Sequence, residues 1–322
     1  MNIIETHALS RVYGKRRAVD SLDMCVAAGE IYGFVGKNGA GKSTAMKMLA
    51  GLVNPSSGEI ELFGASLRSR RARQGFSRIG ALIEDPGVLP TFSALENLMC
   101  KALALGVVRP DAHCRELLEL VGLEDSGPLP VKKFSLGMKQ RLGLALALVG
   151  GPDLLLLDEP FNGLDPESTR AMRGALVRLN RERGVTMVIS SHVLDQLDRM
   201  ATSFGVIRSG RMVRELSMDD LHRECGSSIR VRTNDPARAL AILEEALPGA
   251  VLRAEPDGSI LASAPARNAA TSFGGAAADP MAPSAEDVAR PLTDHGQLIL
   301  ELSHLERDIE EYFVELMGGA DA

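Results

Sequence analysis

Through roughly the first 220 residues, short apolar runs closed by Gly, Pro or Asp alternate with stretches whose apolar positions recur every three to four residues. A run that is apolar at every position suits a strand buried on both faces, and the longer period suits a helix with one face on a core. Strands are predicted at 31–36 (IYGFVG), 154–159 (LLLLDE) and 186–191 (TMVISS). Helices are predicted from Lys42 to about Leu52, Asp111 to Val121, Gly137 to Val149, Pro166 to about Arg183 and Val193 to Ala201. Such alternation predicts an α/β fold with a largely parallel sheet. Between about Asp85 and Val149 helical patterns follow one another without a convincing strand, which predicts a helical insert on that core.

The pattern changes after about Arg223. IRVRT (229–233), a helical DPARALAILEEAL (235–247), three further short apolar runs and a last helical stretch at 305–317 predict a small α+β domain over 223–322, beside a first domain over 1–222. Within it, residues 265–291 are rich in Ala, Gly and Pro with little periodicity and are read as a mobile loop.

Composition narrows the function classes. A formal charge of −6 argues against a nucleic-acid binder, which usually carries a basic domain. The one basic cluster, at 68–78, reads as a solvated surface, with a lipid or acidic contact as the alternative. The four cysteines form no CxxC pair and no metal-like spacing with the histidines, which suits a reducing compartment. The apolar stretch 142–157 is cut by Gly150, Gly151, Pro152 and Asp153, so no segment is expected to span a membrane.

The chemistry begins at GKNGAGKS (36–43), which fits G-x-x-x-x-G-K-[ST] between a predicted strand and a predicted helix. Glycines let backbone N–H groups wrap a polyphosphate, and the following helix start faces it. Lys42 would reach the β- and γ-phosphates, Ser43 would ligate Mg²⁺, and Gly36, Asn38, Gly39, Gly41 and Thr44 complete the expected nucleotide contacts. The strand LLLLDE ends in two carboxylates where open α/β sheets bind ligands. Asp158 would hold Mg²⁺, and Glu159 would act as general base on the attacking water. His192, closing TMVISSH, would contact the γ-phosphate or that water. In FSLGMKQR (134–141), Ser135 is a fair N-cap, and Lys139 and Arg141 place positive charge where the macrodipole disfavours it unless an anion is bound.

These motifs, in this order, resemble the nucleotide-binding subunit of an ATP-binding cassette (ABC) transporter over about residues 3–222. FSLGMKQR is similar to the family signature LSGGQ, with Leu136 and Met138 as departures. The resemblance implies an ATPase using ATP and Mg²⁺, with Ser135 and Gly137 bound to the γ-phosphate held by a second ATP-binding subunit in a head-to-tail dimer. It also implies a separate membrane permease, a place on the cytoplasmic face of the membrane, and no nucleic acid. Tyr13 falls where the family stacks an aromatic on adenine, and Asp165 of NGLDP where it meets the facing subunit. Glu84 stands where most members have Gln, a residue that senses nucleotide and Mg²⁺, so the resemblance implies that Glu84 is a nucleotide and Mg²⁺ contact, unless its added charge pairs with a cation or swings away. That exchange, the signature form and the tail HLERDIEEYFVELMGG resemble ATPases of bacitracin, lantibiotic and multidrug exporters. A soluble relative acting on DNA or ribosomes is the alternative, and so is a catalytically silent subunit, which the intact Lys42, Asp158, Glu159 and His192 argue against.

Overall fold

Two long strands, β1 (Asn2–Tyr13) and β2 (Arg16–Ala27), open the chain as an antiparallel pair. The computed structural model describes residues 1–67, 75–225, 228–263, 283–305 and 309–318. The fully buried β3 (Ile31–Val35) leads through a glycine-rich loop into α1 (Lys42–Leu49). β4 (Ser57–Leu62) and β5 (Ala65–Ser66) return to the first pair and complete a sheet of order β2-β1-β4-β5.

β6 (Ile79–Leu82) precedes three helices, α2 (Ala94–Leu105), α3 (Pro110–Leu120) and α4 (Leu136–Leu148), which occupy the predicted helical segment. Then come β7 (Leu154–Asp158), α5 (Pro166–Arg183), β8 (Thr186–Ser191), β9 (Ser203–Arg208) and β10 (Arg211–Ser217). The second sheet has the order β10-β9-β3-β8-β7-β6, parallel throughout except for the β9–β10 hairpin. Side chains from both sheets and α1 share one core, including Ile4, Val26, Phe34, Met46, Leu156 and Val188. Burying β3, β7 and β8 on both faces explains their unbroken apolar runs.

One predicted helix is absent. Val193–Ala201 is instead a 3-10 turn at Leu194–Gln196 followed by further turns, bonded Leu197 N–H to Leu194 O and Met200 N–H to Leu197 O. Leu194, Leu197, Met200 and Ala201 are buried, so their spacing marks an inward face without a helix. The Ser191 hydroxyl bonds both the N–H and the C=O of Val193, holding the chain's entry in a local turn.

The chain divides into two compact units: Met1–Ser217 together with the residues from Leu316 onward, and Met218–Glu315. The second holds α6 (Met218–Glu224), β11 (Ser228–Thr233), α7 (Pro236–Ala246), β12 (Val251–Ala254), β13 (Ser259–Ser263), α8 (Ala285–Asp294), β14 (Ile299–Leu305) and α9 (Ile309–Leu316), whose last residue belongs to the first unit. Its antiparallel sheet, ordered β12-β13-β11-β14, packs Ile229, Val231 and Ile260 against Leu243, Val288 and Leu292. The expected loop 265–291 needs correction at its end, because α8 begins at Ala285 behind a Ser284/Asp287 capping box and buries Val288. The rest of that loop, to residue 282, lies outside the described residues, as do 68–74 of the basic cluster.

Candidate functional site

The register of the parallel strands brings the predicted chemistry to one edge. Val35 pairs with Ser191 and Asp158 with Ser190, so the glycine loop, the carboxylate pair and His192 all leave the carboxyl ends of adjacent strands. The loop needs its glycines for space and for backbone angle. A Cβ at Gly36 would lie 2.5 Å from Ile207 O, and Gly41 has φ +114° with its would-be Cβ 2.5 Å from Ala18 O.

A cleft of about 420 Å³ lies against this loop, lined by Tyr13, Arg16, Ala18, Asn38, Gly39, Gly41, Lys42, Ser43, Thr44 and Glu159. Lys42 is 5% exposed, donates to Gly36 O at 2.6 Å, and pairs with Glu159 Oε1 at 3.2 Å. Glu159 Oε2 meets His192 Nδ1 at 2.8 Å. Oε1, in contrast, is buried without a hydrogen bond, the lysine lying off the bonding direction. Glu159 has φ +48°, a left-handed conformation that costs a non-glycine residue about 1–3 kcal/mol and clusters at functional sites. Ser190 braces both carboxylate residues: its hydroxyl donates to Asp158 Oδ1 at 2.5 Å and accepts the Glu159 N–H at 2.9 Å.

Four predicted residues lie elsewhere. Ser135 caps α4 by accepting the Met138 N–H at 3.2 Å, and Gly137 faces Leu164 and Ser168. Asp165 caps α5, accepting from the Ser168 N–H and hydroxyl, which together hold its carboxyl below the ordinary range. These three form a second cluster, with Leu136 against Gly163, and none of them lines the cleft. Arg141 is already engaged: it donates to the C=O of Val121 and of Gly122, just past the end of α3. A cation there complements a helix C-terminus, so Arg141 needs no anion at α4. Glu84 is also outside the cleft lining, and its carboxylate pairs with Lys47 at 2.5 Å.

Sequence reasoning missed Arg16, which lines the cleft with its guanidinium 3.5 Å from Gly39 O, and it missed Ser190 and Lys47. Ser190 had a signal, a hydroxyl two residues before His192 on a buried strand. Arg16 had none, because β1 and β2 carry no chemical motif.

A glycine cradle, a buried lysine and strand-end carboxylates define a phosphate-loop nucleotide hydrolase. A model of the ABC transporter family matches residues 19–162. The chain is 36% identical to the bacitracin transport ATP-binding protein BcrA of Bacillus licheniformis across 98% of each chain. It is 39% identical to the lantibiotic transport ATP-binding protein SrtF of Streptococcus pyogenes, across 67% of this chain and 92% of that one. The solved structure of an ATP-binding subunit of an ABC transporter is 29% identical, with a TM-score of 0.61 over 69% of this chain and 92% of that one. A dimeric cassette bound to ADP and phosphate shares the fold at 22% identity and a TM-score of 0.61, over 67% of this chain and 98% of that one. The chain belongs to the ABC transporter family and is its ATP-binding, ATP-hydrolysing subunit.

Proposed function

We propose that this chain powers export of peptide antibiotics or related amphipathic drugs through a separate membrane permease, acting at the cytoplasmic face of the membrane. The likeness to BcrA along 98% of both chains supports that assignment. No helix among the described residues is long and apolar enough to cross a membrane, which fits a peripheral subunit.

The observation that carries the site reading is the array Lys42–Glu159–His192 at the mouth of the glycine cradle. Lys42 and the loop N–H groups hold the triphosphate of ATP, and Tyr13, 44% exposed on the cleft wall, offers its ring to the base. Glu159 takes a proton from water as that water attacks the γ-phosphorus and the bond to ADP breaks, releasing phosphate. His192 keeps the carboxylate oriented through the 2.8 Å contact. Ser43 and the buried Asp158 supply hard oxygen donors that fit Mg²⁺, a cation that takes one or two carboxylates plus substrate phosphates. No cluster of three or more His, Cys, Asp or Glu among the described residues could hold a metal unaided, which agrees with that mode. When bound, Mg²⁺ neutralises charge on the transferred phosphoryl group. Ser135, Gly137 and Asp165, away from the cleft, would serve the ATP of a second subunit in a head-to-tail dimer.

Glu159→Gln tests this reading, because the amide keeps the shape and cannot accept the proton. The variant should bind ATP normally, lose most hydrolysis and run as a dimer on gel filtration with ATP and Mg²⁺. Monomer alone under those conditions would remove the case for a second subunit. Co-sedimentation with membranes containing the neighbouring permease, and higher bacitracin tolerance of such cells, would support export.

A further inference from the structure

Tyr13 meets the cleft with one face of its ring already taken. The guanidinium carbon of Arg11 lies 4.5 Å from the ring centroid, and Arg11 is not among the residues lining the cleft. The two stand two apart on β1, the spacing that puts side chains on one side of a strand. A ring has two faces, so the face opposite Arg11 is the one left for a ligand. Arg11 is itself held: its Nη1 donates to the C=O of Asn54 at 2.8 Å, and its Nε is buried without a hydrogen bond, against protein rather than water. The same connection between α1 and β4 grips β1 on either side of Arg11. The Ser56 N–H donates to Ser10 O at 2.8 Å, and the Ser56 hydroxyl accepts the Val12 N–H at 3.1 Å. The segment after the phosphate-loop helix thus fixes the cation, and the cation lies on the ring.

We propose that Arg11 is a positioning residue for the nucleobase, holding the Tyr13 ring from behind so that its free face is presented to a stacked purine. A ring face is negative, and a cation on one side draws that charge toward itself, which eases the approach of another π-system to the far side. Tyr13 is also exposed, and an exposed side chain fixed before binding gives up less rotational freedom when the base arrives. The proposal rests on the reading of Tyr13 as the base contact.

The test is a double-mutant cycle on the full chain, reading ATP affinity by isothermal titration calorimetry with Mg²⁺ present. Arg11→Ala should weaken ATP binding by at least about threefold, in the range of a cation–aromatic contact. In the Tyr13→Ala background the same substitution should change it by less than about twofold, because no ring remains to be held. The chain has three tyrosines, so fluorotyrosine incorporation gives a simple fluorine NMR spectrum in which the Tyr13 resonance is identified by its loss in Tyr13→Ala. Arg11→Ala should move that resonance in the nucleotide-free protein and leave those of Tyr32 and Tyr312 in place. Arg11→Ser replaces Arg11→Ala if the latter does not fold. Equal losses of affinity in both backgrounds would mean that Arg11 acts only as a charge felt by the phosphates and would overturn the proposal, as would unchanged affinity or an unmoved Tyr13 resonance. If Tyr13→Ala alone leaves ATP affinity unchanged, the reading of Tyr13 as the base contact falls instead.

Discussion

Asp20 shows how one side chain can brace a binding wall from behind. It accepts from Arg17 at 2.5 Å and from Arg211 at 2.6 Å, and its N–H donates to Gly210 O. That ties β2, two residues past the cleft-lining Ala18, to the β9–β10 turn. The hydrogen bond from Arg17, then the one from Arg211, holds its carboxyl below the ordinary value of 3.8. A lowered folded value means the stabilisation is complete above the unfolded value and is lost as pH falls through the folded one. Asp20→Asn should therefore lower the melting temperature at pH 7, and the gap from the unsubstituted protein should narrow from about pH 5 downward. Thermal melts at pH 7, 5 and 4 check this, and a gap that widens in acid would reverse the assignment. Asp20 carries no motif, so its role emerges only once β2 and β10 are placed side by side.

Elements were legible where one physical cause dominates their sequence. β3, β7 and β8 read correctly because two-sided burial leaves no polar position, and α5 because Asp165 and Pro166 start it and Gly184 ends it. The sheet of β1, β2, β4 and β5 was not legible. Its strands mix charged and apolar residues, and register shifts in β1 break the two-residue alternation, with Ala8 and Ser21 both left-handed. The phosphate loop and the acidic strand end were legible as motifs, whereas the Lys47–Glu84 pair depends on two elements far apart in sequence. Another such contact joins the segment after β6 to α4, where a Cβ at Gly143 would lie 2.6 Å from Pro86 and 2.8 Å from Leu82. Gly143→Ala should cost about 1–3 kcal/mol by overpacking, despite the better helix propensity of Ala. Denaturant unfolding measures it, and an unchanged midpoint would mean that Pro86 yields freely.

At the scale of the whole chain, the division at Ser217 sets the nucleotide chemistry apart from the second unit. Every side chain assigned to the cleft, its carboxylates and the α4–α5 cluster precedes that point, and among the described residues the buried members of the core shared by both sheets run from Ile3 to Ile207. The second unit has its own core of Ile229, Val231, Leu243 and Val288 among others. SrtF aligns over 217 residues and BcrA over 317. A chain ending at Ser217 should therefore fold and bind ATP with affinity within about threefold of the full protein, because a domain with its own core can fold alone. It lacks the first unit's residues from Leu316 onward, among them Leu316, whose C=O accepts from Arg208 at 3.4 Å, and Gly318, which lies against the same side chain. Fluorescent-nucleotide titration and a thermal melt of the shortened chain provide the check. If it is insoluble or unable to bind nucleotide, the second unit helps to build the first.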